Sequence, residues 1–269
     1  MNTHRRGLTL VEVVVVIVIL VLLFAMLAPA TRRIQGAAAR ARCMNNLKQL
    51  MLGLHNYEAN GGNHYPTEEV KPLPTLPAGC YGTPDRDPEQ RLSWQVSVLP
   101  YIEQESLFRE FDPKQGFVPS STATLKPLAI FNCPELKRDA EPVTMYVGMA
   151  GLGEDAARRP SGDKNNGIMG YDRACAFKDI TDGMANTVAL AETSHALGRW
   201  AQGGSGTVRA FDATDPTPFG PDRWFGSAHP KGFNVAMCDG SVRFINFKQN
   251  GKVFADAVTV AGGEKTELD

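Results

Sequence analysis

The start of the chain constrains it most. A short cationic stretch ending in Arg5-Arg6-Gly7 leads into Leu8-Thr9-Leu10-Val11-Glu12, then into sixteen uninterrupted apolar residues, 13–28. As a helix, residues 8–30 span roughly 34 Å, enough to cross a hydrocarbon core of ~30 Å. Residues 13–19 are all β-branched, which in water favours strand. In lipid a lone strand leaves its amides unpaired, so a helix is forced. The anomaly is Glu12. An acid at mid-bilayer costs about 2.5–3.5 kcal/mol and marks function, whereas at a helix N-terminus it is favoured by the macrodipole and sits among headgroups. Physics alone leaves both readings open.

The segment from Arg6 to Glu12 resembles the prepilin signature of type IV pilins and type II secretion pseudopilins: a basic leader ending in Gly, an apolar residue, Thr, two apolar residues and Glu. That resemblance implies that a membrane prepilin peptidase cuts between Gly7 and Leu8 and methylates the new amine of Leu8. Glu12 then becomes the fifth mature residue. There the family pairs it with the N-terminal amine of a neighbouring subunit, which is another pilin-like subunit or a second copy of the chain. Opposite charges attract strongly at low dielectric, so one acid can set the register of a helix bundle. A rival reading comes from Ala28-Pro29-Ala30, an A-x-A pattern after which signal peptidase could release a soluble protein. The apolar run is long for such a peptide, and an internal Glu12 is unusual there.

Pro29 is expected to kink the helix rather than end it. Beyond it Ile34, Ala37, Ala38, Ala41, Met44, Leu47, Met51 and Leu54 recur at helical spacing, with Cys43 and Leu50 at the edge of the stripe. Arg32, Arg33, Arg40, Arg42 and Lys48 are expected on the opposite side, facing water, lipid headgroups or filament neighbours. The chain therefore divides into a leader (1–7), a transmembrane helix (8–30), its amphipathic continuation (31–58) and a head (59–269). As one helix, residues 8–58 would be about 75 Å long.

A net charge of −1 gives no electrostatic case for nucleic acid as a partner. The five cysteines (Cys43, Cys80, Cys133, Cys175 and Cys238) include no C-x-x-C pair, which argues against a zinc ribbon or a thioredoxin-like motif. An exported head permits one or two disulfides, with connectivity unread.

Further stretches carry a wider resemblance. They are Cys43-Met44-Asn45-Asn46-Leu47-Lys48-Gln49 with Gly53-Leu54-His55-Asn56-Tyr57, Ser93-Trp94, Leu99-Pro100-Tyr101-Ile102-Glu103-Gln104, and Phe131-Asn132-Cys133-Pro134. To these are added Ile180-Thr181-Asp182-Gly183 with Asn186-Thr187 and Glu192, and Gly226-Ser227-Ala228-His229-Pro230 through Asn234 to Asp239-Gly240-Ser241. Together they resemble a large bacterial family that joins a prepilin N-terminus to a domain of unknown function with a C-terminal H-x9-DG motif. Lys231 stands where that family usually has Gly, and Glu135 where it usually has Ser.

Within the head, residues 60–91 are dense in Gly and Pro and read as a long loop. A short helix is expected over 99–108, and strands over 129–131, 143–148 and 187–191. Phe233, Val235 and Met237 alternate with smaller or polar residues up to Asp239-Gly240, a strong hairpin signal. The expected fold is α+β: a pilin-like long N-terminal helix packed on a mainly antiparallel sheet with long loops.

His229, Asp239 and Asp182, with Glu192 and His195, form the candidate polar cluster. If the hairpin brings His229 and Asp239 to one end, near the Asp182 turn, the set suits a metal or an acid–base pair. Asp before Gly is equally a turn residue that bonds its own backbone. Analogy with pseudopilin heads names calcium as the cation. No P-loop, H-E-x-x-H, G-x-G-x-x-G or nucleophile elbow is present, so the chain is not read as an enzyme. The expectation is a single-pass protein of the bacterial inner membrane with an extracytoplasmic head, working in filament assembly. The alternative is a periplasmic enzyme, or a ligand- or metal-binding domain, carried on the same anchor or released after Ala30.

Overall fold

The computed structural model describes residues 9–62, 74–136, 138, 140–263 and 268, and of residues 25–33 the backbone alone. Helix α1, Leu10–Ala59, is 50 residues long and passes through Pro29 without ending. Thr9 caps its start. Beyond Asn60, Gly61 and Gly62 both adopt φ of 69°, a left-handed conformation that stops the helix and that Gly enters without steric penalty.

The two ends of α1 live in different surroundings. Over 10–24 the large apolar side chains point into open space, from 45% exposed at Val13 to 80% at Leu10. Cys43, Leu47, Leu50, Met51 and Leu54 are fully buried against the head. Among the described residues no helix is long and apolar enough to cross a membrane. Residue 8 and the side chains of 25–30, which complete the expected span, lie outside the described set.

The expected stripe on the second half is corrected in one respect. Ile34, Ala37, Ala38 and Ala41 are exposed, and the face turned to the head runs through Gly36, Ala39, Arg40 and Cys43. Arg40 therefore lies on the head side, not opposite it, with its guanidinium carbon 3.7 Å from the centre of the Phe244 ring. A long Arg stem covers apolar surface while its head meets an aromatic face, a partner that helical periodicity cannot announce.

After α1 come β1 (Cys80–Tyr81), β2 (Leu92–Ser93), α2 (Trp94–Val98), α3 (Glu105–Phe108) and α4 (Thr122–Leu125). Then follow β3 (Tyr146–Leu152), β4 (Val188–Glu192), β5 (Val208–Phe211), β6 (Gly232–Met237), β7 (Val242–Asn246) and α5 (Gly251–Ala257). Strands β1 and β2 form a small antiparallel pair, and the other five form a sheet in the order β5-β3-β4-β6-β7. All its pairings are antiparallel except β3 with β5. The β6–β7 hairpin turns at Asp239-Gly240 as expected, with Phe233 opposite Ile245 and Val235 opposite Arg243.

Both faces of this sheet are covered. Tyr146, Ala150, Leu190 and Ala236 face Leu47, Leu50, Met51 and Leu54 of α1. On the other face Val147, Met149, Val235 and Met237 meet Phe211, Phe219, Phe225 and Phe254. Those rings stack and tilt at centroid distances such as 5.0 Å (Phe211–Phe254) and 5.1 Å (Phe219–Phe254).

Three local expectations change. Residues 129–131 form a 3-10 turn, not a strand, with the Asn132 amide donating back to Ala129. The helix expected over 99–108 is broken: a 3-10 turn over Leu99–Ile102 ends at Glu103, at φ 63°, before α3 begins. The strand expected over 143–148 starts later, at Tyr146. Of the long loop, residues 63–73 lie outside the described set.

Candidate functional site

Where α1 enters the head, three segments far apart in sequence converge on one buried cluster. Cys43 comes from the buried face of α1. Cys133 follows the 129–131 turn, where its amide nitrogen donates to the Met145 sulfur at 2.9 Å. His229 comes from the loop before β6. Ser227 shapes that loop: its Oγ accepts from the His229 amide at 3.0 Å and donates to the Gly232 carbonyl at 2.7 Å. The Cys43 and Cys133 sulfurs are 2.6 Å apart, and His229 Nε2 lies 3.5 Å from Cys133 Sγ. All three side chains are buried.

Two carboxylates close the cluster. Glu135 Oε2 is 2.7 Å from His229 Nδ1, and Glu192 Oε1 is 3.9 Å from His229 Nε2. Glu192 sits on β4 and accepts from Asn234 of β6 twice, from its amide at 2.7 Å and its side-chain nitrogen at 2.9 Å. It therefore clamps two central strands as well as facing the histidine.

The electrostatics follow from burial and from these partners. Burial pushes the Glu192 carboxyl up to about 7, against the opposing pull of the Asn234 hydrogen bonds and His229. Burial alone would lower His229. The Cys133 hydrogen bond, the Glu192 charge and Glu135 outweigh it and push the ring up to about 9. The Cys133 thiol is pushed down by its hydrogen bond from Cys43 and by His229, while Cys43 is pushed up for the same reason. One thiolate is thus favoured between two sulfurs, beside a cationic ring. Such an arrangement supports nucleophilic thiol chemistry. Cys43, Cys133 and His229 offer ligand atoms within 4.8 Å of one another, so they also have the composition of a thiophilic metal site, with Glu135 orienting the far ring nitrogen.

Of the residues expected to act together, His229 belongs here, and Asp239 and Asp182 do not. His229 precedes β6 and Asp239 follows it, so the six-residue strand holds them roughly 20 Å apart. Asp239 closes its own turn, accepting from the Ser241 amide at 2.8 Å and its hydroxyl at 2.6 Å. Asp182 accepts from the amides of Gly262 at 2.8 Å and Gly263 at 3.0 Å, tethering the segment after α5. His195 stands apart, edge-on to Trp224.

Cys43, Cys133 and Glu135 escaped sequence reasoning as site residues. Cys43 lies 90 positions from Cys133, and His229 lies 96 from it. The one available signal was the unusual acid at 135, which is the carboxylate that holds His229.

At the opposite end of α1, Glu12 forms a capping box. Its Oε2 accepts from the Thr9 amide at 2.8 Å and the Thr9 hydroxyl at 2.9 Å, and its own amide donates to Thr9 Oγ1 at 3.3 Å. Gly7 and Leu8 lie outside the described residues.

Comparison with known proteins gives two matches. A family model described as a protein of unknown function (DUF1559) matches residues 33–223 and 213–250, and the prokaryotic N-terminal methylation motif matches residues 2–28. No curated protein and no solved structure matches the chain.

Proposed function

We infer the function from one premise: this chain belongs to the DUF1559 family and carries the prokaryotic N-terminal methylation motif. It is a pilin-like protein of the prepilin-processed kind. The finer reading is a pseudopilin-like subunit, anchored in the bacterial inner membrane with its head outside the cytoplasm. Prepilin peptidase cuts it between Gly7 and Leu8, and it assembles with other pilin-like subunits, or with itself, in a secretion or surface filament.

The observation that carries this reading is the uncovered apolar half of α1. Fifteen consecutive positions, 10–24, are at least half-exposed or nearly so, and all but Glu12 are apolar. A soluble monomer rarely leaves an apolar patch beyond a few hundred Å² open to water. Lipid covers this surface before assembly, and like helices cover it afterwards. Cleavage after Ala30 would instead cut α1 in mid-helix.

Glu12 supplies the register. In the isolated chain it caps its own helix through Thr9. In the assembled state a neighbour's Leu8 amine becomes its partner, at a depth where an unpaired carboxylate is costly. The test is Glu12→Ala in the native host. Membrane insertion is expected to persist, while cross-linking to neighbouring pilin-like subunits is lost. Wild-type cross-linking in that variant would overturn the assembly role.

A further inference from the structure

The geometry points to a disulfide between Cys43 and Cys133 that ties the buried half of α1 covalently to the head. Three observations carry it. First, the sulfurs stand 2.6 Å apart, well inside the ~3.5–4 Å at which unbonded carbon atoms, smaller than sulfur, rest. Two ligands of one zinc, each ~2.3 Å from the metal in tetrahedral geometry, would instead stand roughly 3.7 Å apart. Second, the other three cysteines make no such approach: Cys80, Cys175 and Cys238 are each buried, and the sulfurs of Cys80 and Cys175 donate to the backbone carbonyls of Pro88 and Ala176. The odd thiol count thus resolves as one pair and three singles. Third, His229 places a basic ring nitrogen 3.5 Å from Cys133, anchored by Glu135 on its far side.

The chemistry is thiol–disulfide exchange, and it needs an external disulfide as oxidant, either a protein or a small molecule. The Cys133 proton leaves as its thiolate forms beside the His229 ring. The thiolate attacks one sulfur of the oxidant, breaking its S–S bond and expelling one thiolate. Cys43, deprotonated in turn, attacks the Cys133 sulfur of the mixed disulfide and expels the second. Two thiols of the chain are oxidised and one external disulfide is reduced to two thiols, which carry away both protons. Exchange takes place as the helix docks. Once docked, the bond is shielded, since Cys43 is 0% and Cys133 3% exposed.

This tie depends on the extracytoplasmic placement of the head for its formation in the cell, so the test is made in vitro. The full chain is unfolded and reduced, refolded in detergent in a glutathione redox buffer, then denatured, alkylated with and without prior reduction, and mapped by mass spectrometry. The expected result is three labels without reductant, on Cys80, Cys175 and Cys238, five after denaturation and reduction, and a Cys43–Cys133 cross-linked peptide. Reductant added to the folded protein leaves the count at three. Five labels in oxidising buffer, a cross-link between any other pair, or one zinc ion per chain with all thiols free would overturn it. The same mapping on protein from the native host separates the two claims. Free thiols there, with clean oxidation in vitro, count against the extracytoplasmic placement and leave the pairing intact.

Discussion

Glu192→Gln probes whether the core stores a carboxyl group beside His229 at a cost that depends on pH. In the folded chain burial pushes Glu192 up to about 7 from an ordinary 4.5. A raised acid keeps its proton in the folded state at pH values where the unfolded chain has released it. Its destabilising effect is therefore absent below about 4.5, grows as pH rises, and is complete above about 7. The cleanest window is 4.5 to 6.5. There the folded His229, pushed up to about 9, keeps its proton throughout, and the unfolded one, ordinarily 6.5, keeps at least half of its own, so most of the difference between the two proteins belongs to Glu192. At ~1.36 kcal/mol per pK unit, Glu192 should cost the wild type about 2 kcal/mol of stability across that window. The variant keeps the local geometry. A Gln oxygen still accepts from the Asn234 amide, and its nitrogen can donate to Asn234 Oδ1 once that side chain flips. Asn234 Oδ1 is buried without a partner among the described residues. Urea unfolding of both proteins in one detergent, followed by the fluorescence of the buried Trp94 and Trp200, gives the difference at each pH. The variant's stability relative to wild type is expected to rise by about 2 kcal/mol from pH 4.5 to 6.5. A gap that stays constant over that range would show that Glu192 carries no raised proton affinity.

Three other perturbations separate the contacts of the helix from those of the head. Arg40→Ala removes the guanidinium from the Phe244 ring and should cost about 0.5–1 kcal/mol of unfolding free energy, rising if the lost stem packing matters more than the charge. A stability equal to wild type would place Arg40 in solution. Leu50→Ala empties a fully buried position between α1 and the sheet and should cost about 3–5 kcal/mol in the same assay. A loss under 1 kcal/mol would mean that the helix is not seated as described. Millimolar calcium is expected to leave the melting temperature unchanged, because Asp182 and Asp239 already bind backbone amides. A rise of several degrees would reveal a cation site.

Much of the fold was legible where the pattern is local. The β6–β7 hairpin could be read from alternating Phe233, Val235 and Met237 and from the Asp239-Gly240 turn, since each signal lies within a dozen residues. The long helix was equally plain, and Leu47, Met51 and Leu54 marked its buried face. Farther up, Ala37, Ala38 and Ala41 misled, because alanine suits a buried or an exposed helix face equally well. Arg40 was misplaced because its partner, Phe244, is two hundred residues away and supplied by the hairpin. The cluster around His229 was illegible for the same reason. Its members come from α1, from the loop after the 129–131 turn and from the loop before β6, and only the folded sheet brings them together. Spacing suggested that His229 and Asp239 meet, yet nine intervening residues that include a full strand hold them apart.

The most direct measurement is the intact mass and N-terminal peptide of the protein isolated from its native membrane. The expected product begins at Leu8 and carries one methyl group on that residue's amine, with the apolar segment retained. A product beginning at Thr31, free in solution, would contradict the assignment of α1 as a membrane and filament helix.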